Sequence, residues 1–244
     1  MAIAESLLSG ERKAVLLGNA AAHAANASSL LALANWIALQ TGASVGYLTE
    51  AANTVGAQWV GAQPQAAGLN AAQMLGGKLK AALLLAVEPE YDTAAGQAAA
   101  AALDTAEMVV TLSPFKTNLA FSDVLLPIAP FSETSGSFVN AEGRVQSFHA
   151  VVKPLGETRP AWKVLRVLGN LLGLQGFGFE SSQDVLAAAT TRPANLSNAT
   201  QATIQLAATA AEPVVASIYQ LDGLVRRAPS LQLTTDAREQ GVAA

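Results

Sequence analysis

The acids and amides of this chain gather beyond short apolar runs. Glu88, Glu90 and Asp92 follow AALLLAV at 81–87. Glu133, Asn140, Glu142 and Arg144 follow VLL at 124–126, within DVLLPIAPFSETSGSFVNAEGRVQ at 123–146. Three acids at alternating positions beyond a strand could hydrogen-bond a ribose or a purine, or bind a cation. The alternative is solvated loop acids, with Asp92 capping the next helix. Glu133, Glu142 and Arg144 could be an acid/base pair with an anchoring arginine, or a local Glu–Arg ion pair that holds a long loop. Asn140 suits a left-handed position or a cap on neighbouring backbone, and Gly136 and Gly143 suit positive φ. Gly18-Asn19-Ala20 follows KAVLL at 13–17, where a dinucleotide fold places its phosphate loop. Alanines fill the positions where that loop needs glycines, and the P-loop pattern is absent, so an ordinary strand-to-helix turn is expected. The two histidines, His23 and His149, lie outside these loops, so no nucleophile–base–orienter set forms and His149 is not read as a base.

Composition narrows the classes. The chain has 244 residues, 51% hydrophobic and 13% charged, against about 25% charged in average domains. Either partners cover part of the surface, or helices rich in small residues supply it. The net charge of −4 and the lack of a basic stripe argue against nucleic-acid binding. There are no cysteines, which excludes cysteine-ligated iron–sulfur clusters, disulfides and thiol catalysis within the chain and fits the cytoplasm. The N-terminus lacks the basic and apolar regions of a signal peptide. No apolar run nears the ~20 residues of a membrane span, so membrane insertion is not expected.

The elements that would position these residues alternate. Strands are expected at 13–17, 44–48, 81–87, 108–112 and 124–126, since short continuous apolar runs are what parallel strands buried on both faces look like. Helices are expected at 30–40, with Ser28 or Ser29 as N-cap and Gly42 at its end, at 70–79, at 93–103 with Asp92 as N-cap, and at 183–189. Another opens at Thr158-Arg159-Pro160, with proline in its first turn, and ends at Gly173. Segment 49–63 reads as a loop, 145–152 as an edge strand or hairpin arm, 190–202 as a connector, 213–219 as extended, and 235–244 as a frayed tail. The fold class is α/β: a Rossmann-like, mostly parallel sheet with helices on both faces over 1–150. A helical and irregular C-terminal part, 151–244, packs on it.

Segment 122–146, SDVLLPIAPFSETSGSFVNAEGRVQ, resembles a characteristic stretch of the molybdopterin oxidoreductase superfamily. The closer resemblance is to the large iron–sulfur subunits of bacterial NADH-quinone oxidoreductase, respiratory complex I. It rests also on ERKAVLLGNAAAHAANASSLLALANWIA, YLTEAANTVGAQWVG, LLLAVEPEYD, RPAWKVLRVLGNLLGL and IYQLDGLVRRAPSLQ, in that order. Subunits of that family are far longer and carry their cluster-binding cysteines in the N-terminal part. The resemblance therefore implies a C-terminal fragment without cofactor of its own, the iron–sulfur clusters and FMN being held elsewhere in the complex. Catalytic members of the superfamily bind a molybdopterin guanine dinucleotide and carry a G-x-N-P-type turn. Here that turn reads Ala86-Val87-Glu88-Pro89, where an acid would repel a diphosphate and alanine hinders close approach.

The expected function follows from that resemblance. The chain is a structural and interaction module of the complex I peripheral arm, with a degraded molybdopterin site. Its partners are the rest of its own subunit and neighbouring peripheral-arm subunits. The rival reading is a domain that still holds a nucleotide or pterin-like ligand at the strand ends through Asn19, Asn53, Glu88, Asp92 and Asn140. An autonomous hydrolase has only the carboxylates behind it.

Overall fold

The computed structural model describes residues 2–24, 26–49, 51–64, 66–190 and 217–241. In chain order its elements are α1 Ala2–Ser9, β1 Ala14–Leu17, α2 Asn19–Ala22, α3 Ala27–Thr41, β2 Ser44–Tyr47, α4 Thr54–Trp59, α5 Ala71–Leu75, β3 Ala81–Leu85, α6 Pro89–Asp92, α7 Gln97–Asp104, β4 Met108–Ser113, β5 Val124–Pro127, β6 Gly136–Val139, β7 Val145–Phe148, α8 Ala161–Leu171, α9 Ser182–Thr190, α10 Ile218–Leu221, α11 Pro229–Gln232 and α12 Thr235–Gly241. Single turns of 3-10 helix lie at Phe131–Glu133 and Val225–Arg227. The α/β class is as the alternation of runs predicts. The described residues fall into two compact units, 2–56 with 139–144 and 217–241, and 57–138 with 145–190.

In the second unit, β3, β4 and β5 form one parallel sheet in that order. Ala81 faces Met108 and Leu85 faces Leu112. Val110 faces Val124 and Ser113 faces Pro127. The middle strand, MVVTLS, has a partner on each side, and Val109, Thr111, Leu112 and Ser113 are all buried. Ala99 and Leu103 of α7 are buried as well. Removing a Leu or Val side chain from water stabilises by about 1.5–3 kcal/mol, so Val109 and Leu112 anchor this sheet. The buried hydroxyl of Thr111 meets Ser122 Oγ at 2.7 Å. Asp123 brackets Val109: its carboxylate accepts from Val109 N–H at 2.7 Å and its own N–H donates to Val109 O at 2.9 Å. Parallel neighbours need long crossovers, and α6 with α7 provides the one from β3 to β4.

In the first unit, β1 and β2 pair in parallel, Ala14 facing Ser44 and Leu17 facing Tyr47, with α2 and α3 between them in the chain. Gly42 ends α3 in the left-handed conformation, φ +72°, and its N–H reaches Ala38 O at 2.8 Å. The start of α3 differs from expectation. It begins two residues earlier than Ser29, behind Asn26, whose side chain makes no cap bond. Ser29 is instead buried along with Ala32 and Ala34, while Leu33, Trp36 and Leu39 are exposed. Small residues pack inward here, and large apolar ones face water.

Other differences concern segments lacking a strong apolar period. Segment 49–63 contains α4. The helix expected from 93 begins only at Gln97, behind Gly96, so Asp92 is not its cap. Of the tail expected frayed at 235–244, Thr235–Gly241 is helical and residues 242–244 lie outside the described residues, and Tyr219 lies in α10 rather than in an extended segment. Gln232 joins the C-terminal turns by donating to Tyr219 O at 3.0 Å and to Val225 O at 2.9 Å. The expectations for 191–202 and 213–216 lie outside the described residues. Pro160 directly precedes α8, and Asn70 caps α5 through a reciprocal pair with Gln73, both bonds 2.9 Å.

The chain ahead of α9 is held by one carboxylate. Asp184 Oδ2 accepts from Ser181 N–H at 2.9 Å and Glu180 N–H at 3.1 Å, and Asp184 N–H donates to Ser181 Oγ at 3.1 Å. The Ser181 side-chain bond, then the Ser181 and Glu180 backbone bonds, hold the Asp184 carboxyl below its ordinary pKa. A carboxyl lowered on folding stabilises above its unfolded pKa, and that stability is lost as pH falls through the folded value. The protection of the Glu180 and Ser181 amides, their exchange relative to the intrinsic rate at each pH, should therefore stay constant from neutral pH down to about pH 4 and fall below it. In Asp184→Asn that acid-dependent change should disappear.

Candidate functional site

Two places hold the residues that could bind a ligand. The first is the turn beyond β3. Ala86 continues the ladder, its N–H donating to Leu112 O at 2.8 Å, and then takes φ +50°. That left-handed region is costly for a residue with a Cβ. Val87 O accepts from Asn118 Nδ2 at 2.9 Å, and Asn118 itself has φ +58°, which asparagine tolerates better than most residues. Glu88 and Pro89 are buried, Glu88 being only 7% exposed. Glu88 stands at the N-cap of α6, but its side chain makes no cap bond.

Asp92 closes this turn. Its N–H donates to Glu88 O at 2.9 Å, and its Oδ2 accepts from Glu88 N–H at 2.7 Å. The carboxylate thus reaches back to the start of its own helix. Thr93 Oγ1 donates to Pro89 O at 2.7 Å, and Gln97 Nε2 bonds Glu90. Glu88, Glu90 and Asp92 are therefore not uniformly solvated. Among the described residues, no group of three His, Cys, Asp or Glu is arranged to hold a metal ion.

The second place is loop 139–144 of the first unit. Asn53 Oδ1 accepts from Val139 N–H at 2.9 Å, and Val139 is buried. Asn140 Oδ1 accepts from Glu142 N–H at 3.1 Å and Arg144 N–H at 2.9 Å, and the Asn140 N–H donates to Arg144 O at 3.1 Å. Gly143 takes φ +80°, as its position suggests. Asparagine and backbone bonds hold this loop. Among the described residues, no Glu142–Arg144 ion pair forms, and Glu133 instead accepts from Leu155 N–H at 3.0 Å. Gly56 is needed for a different reason: a Cβ there would lie 2.0 Å from Asn53 Oδ1.

The structure therefore sorts the candidate residues into pairs. It brings Glu88 and Asp92 together, and it brings Asn53 to the loop that contains Asn140. Asn19 is exposed at the first position of α2 and accepts through its carbonyl from His23 N–H at 2.9 Å. Gly136 departs from expectation. Its φ is not positive, and it is glycine because Phe148 lies over it: an added Cβ would sit 2.5 Å from Phe148 Cζ. The same ring stacks on Phe138 at 5.5 Å between centroids, which fastens the β6–β7 hairpin. Sequence reasoning passed over Asn118 and Asp123. The available signal was an amide in the β4–β5 loop and an acid immediately ahead of a strand, both frequent acceptors or donors for stray backbone groups.

Two substitutions test these assignments by chemical denaturation. Asn53→Ala leaves the buried Val139 N–H without its acceptor and should destabilise by about 1–3 kcal/mol. Ala86→Gly relieves the left-handed alanine and should stabilise by about 1 kcal/mol. An unchanged midpoint in either variant would contradict the geometry.

Comparison with known proteins places this arrangement. A stretch of 74 residues is 40% identical to a candidate formate dehydrogenase of Staphylococcus aureus, covering 30% of this chain and 8% of that protein. A related protein from another strain is 36% identical over 74 residues, again 30% and 8%. A candidate oxidoreductase of Bacillus subtilis, YjgC, is 39% identical over 66 residues, 27% of this chain and 7% of that protein. These matches span less than a tenth of the relatives' own length. The molybdopterin oxidoreductase profile, by contrast, matches residues 1–171, which take in both parallel sheets, the turn beyond β3 and loop 139–144. Well over half of the sequence fits that profile, and the chain belongs to the molybdopterin oxidoreductase family.

Proposed function

We propose that the chain is a structural and interaction module of an NADH-quinone oxidoreductase of the complex I type. In this reading it belongs to the large iron–sulfur subunit and supports electron transfer from NADH to quinone without performing it. FMN and the iron–sulfur clusters are held elsewhere, and the chain binds no cofactor itself. Its partners are the rest of its own subunit and other peripheral-arm subunits. Its place is the cytoplasmic side of the inner membrane, reached through the complex. No helix among the described residues is long and apolar enough to cross a membrane.

The observation that carries this reading is Glu88. The family's cofactor implies a diphosphate near the strand ends, where α/β sheets bind such ligands. A buried carboxyl at that turn fills space and brings acceptors rather than donors, and burying a ligand's anion without donors to meet it is costly. Ala86 adds a Cβ where the backbone takes a left-handed turn. The residues present do not fit a pterin dinucleotide at this turn. Surface composition supports the assembly part of the reading. Trp36 and Leu39, three residues apart on α3, are 55% and 80% exposed, large apolar side chains of the kind that partners cover.

A second reading has one observation in its favour. The relatives' names point to formate oxidation, so the parent protein could be a molybdopterin-loaded enzyme in which this chain contributes to the cofactor domain. One experiment separates the two readings. The full-length protein, tagged and isolated from native membranes, should bring NADH-quinone oxidoreductase subunits with it and contain iron without stoichiometric molybdenum. Stoichiometric molybdenum with formate-dependent dye reduction would overturn the proposal.

A further inference from the structure

The turn beyond β3 makes a more specific statement than a misplaced acid. At the carboxyl end of a parallel strand, a free backbone N–H is the natural donor to a ligand's phosphate. Here the Glu88 N–H points at Asp92 Oδ2, 2.7 Å away. Two neighbouring groups of the turn are bonded as well. Ala86 N–H is held by Leu112 O at 2.8 Å, and Val87 O by Asn118 Nδ2 at 2.9 Å. Asp92 N–H donates back to Glu88 O at 2.9 Å, so residues 88 and 92 are tied in both directions. The acceptor on the Glu88 amide is charged, and such bonds are shorter and stronger than neutral ones.

We infer that Asp92 is an internal anion: its carboxylate occupies the donor position that an anionic ligand would require, and the turn is thereby closed to phosphate and diphosphate groups. This rests on the reading of the cofactor site as degraded, and it names the residue that closes it. Glu88 is a buried acid in the turn, and Ala86 carries a Cβ at its left-handed position. Asp92 alone competes for the donor itself. A ligand phosphate would have to break a short charge-assisted bond, expel an attached carboxylate and settle beside two acids. The tether matters because an attached acceptor acts at an effective concentration that a free ligand matches only at very high levels. A strand-end turn can look like a nucleotide site by position and yet be filled by its own side chain.

The amide of Glu88 reports on this directly. In the full chain labelled with 15N, its exchange with solvent should quicken about tenfold in Asp92→Ala. Asp92→Asn keeps an acceptor at the same position and should retain most of the protection, which covers the case in which the alanine variant fails to fold. Inorganic pyrophosphate and GDP, titrated at constant ionic strength, should leave the amides of residues 86–92 unchanged in the unsubstituted chain. Saturable movement of those amides with either probe would overturn the inference, as would a Glu88 amide whose protection is unchanged in Asp92→Ala or lost in Asp92→Asn. The subunit-capture experiment can fail while these results stand, and the reverse, so the two readings are tested separately.

Discussion

A backbone N–H or carbonyl at the end of a strand has lost its ladder partner and must find another before it can leave water. Around the sheets of this chain, that partner is repeatedly the side chain of an Asn or Asp. Asn53 takes the Val139 amide, Asn140 takes two amides of its own loop, Asn118 holds the Val87 carbonyl, Asp123 takes the Val109 amide and Asp92 takes that of Glu88. Each bond contributes about 1 kcal/mol in favourable settings, and leaving the partner buried and unpaired costs more. Short polar side chains therefore decide the course of the loops, and the apolar strands only set where those loops begin.

The strands were legible in the sequence because burial on both faces writes itself as an unbroken apolar run. β3 and β4 match 81–87 and 108–112 to within two residues. Helix starts were less legible. Asn26 and Gly96 stand at the caps of α3 and α7 without a side-chain bond, whereas a capping hydroxyl or acid is expected at Ser28 or Ser29 and at Asp92 instead. Asp92 has the chemistry of a cap, but it applies it backwards, four residues toward the N-terminus. Sequence spacing alone does not give that direction. The helix α12 and the stacked hairpin of Phe138 and Phe148 depend on contacts between residues that local pattern does not connect.

The candidate residues show how far residue type constrains role. Asparagine and acid at a strand end suit a ligand because they offer fixed acceptors, and they suit a loop for the same reason. Asn53 and Asn140 were selected for the first property and are used for the second: their side-chain oxygens are directed at backbone N–H groups within a few residues of Val139. Gly136 likewise has the right type for a positive φ and serves instead as the floor under an aromatic ring. Chemistry read from residue type specifies a bond that can be made, and only the packing specifies with what.

That distinction bears on how a cofactor domain could persist without its cofactor. A ligand that binds only the folded state stabilises it in proportion to the logarithm of its concentration above Kd, so a turn shaped around a phosphate loses that support when the ligand goes. A carboxylate from the same short helix replaces it at no dependence on concentration, because chain connectivity keeps the acceptor beside the donor. The Glu88–Asp92 ring supplies such a replacement within one helical turn, and Asn118 secures the adjoining carbonyl. At the turn beyond β3 the Glu88 N–H and the Val87 carbonyl thus both find partners within the chain.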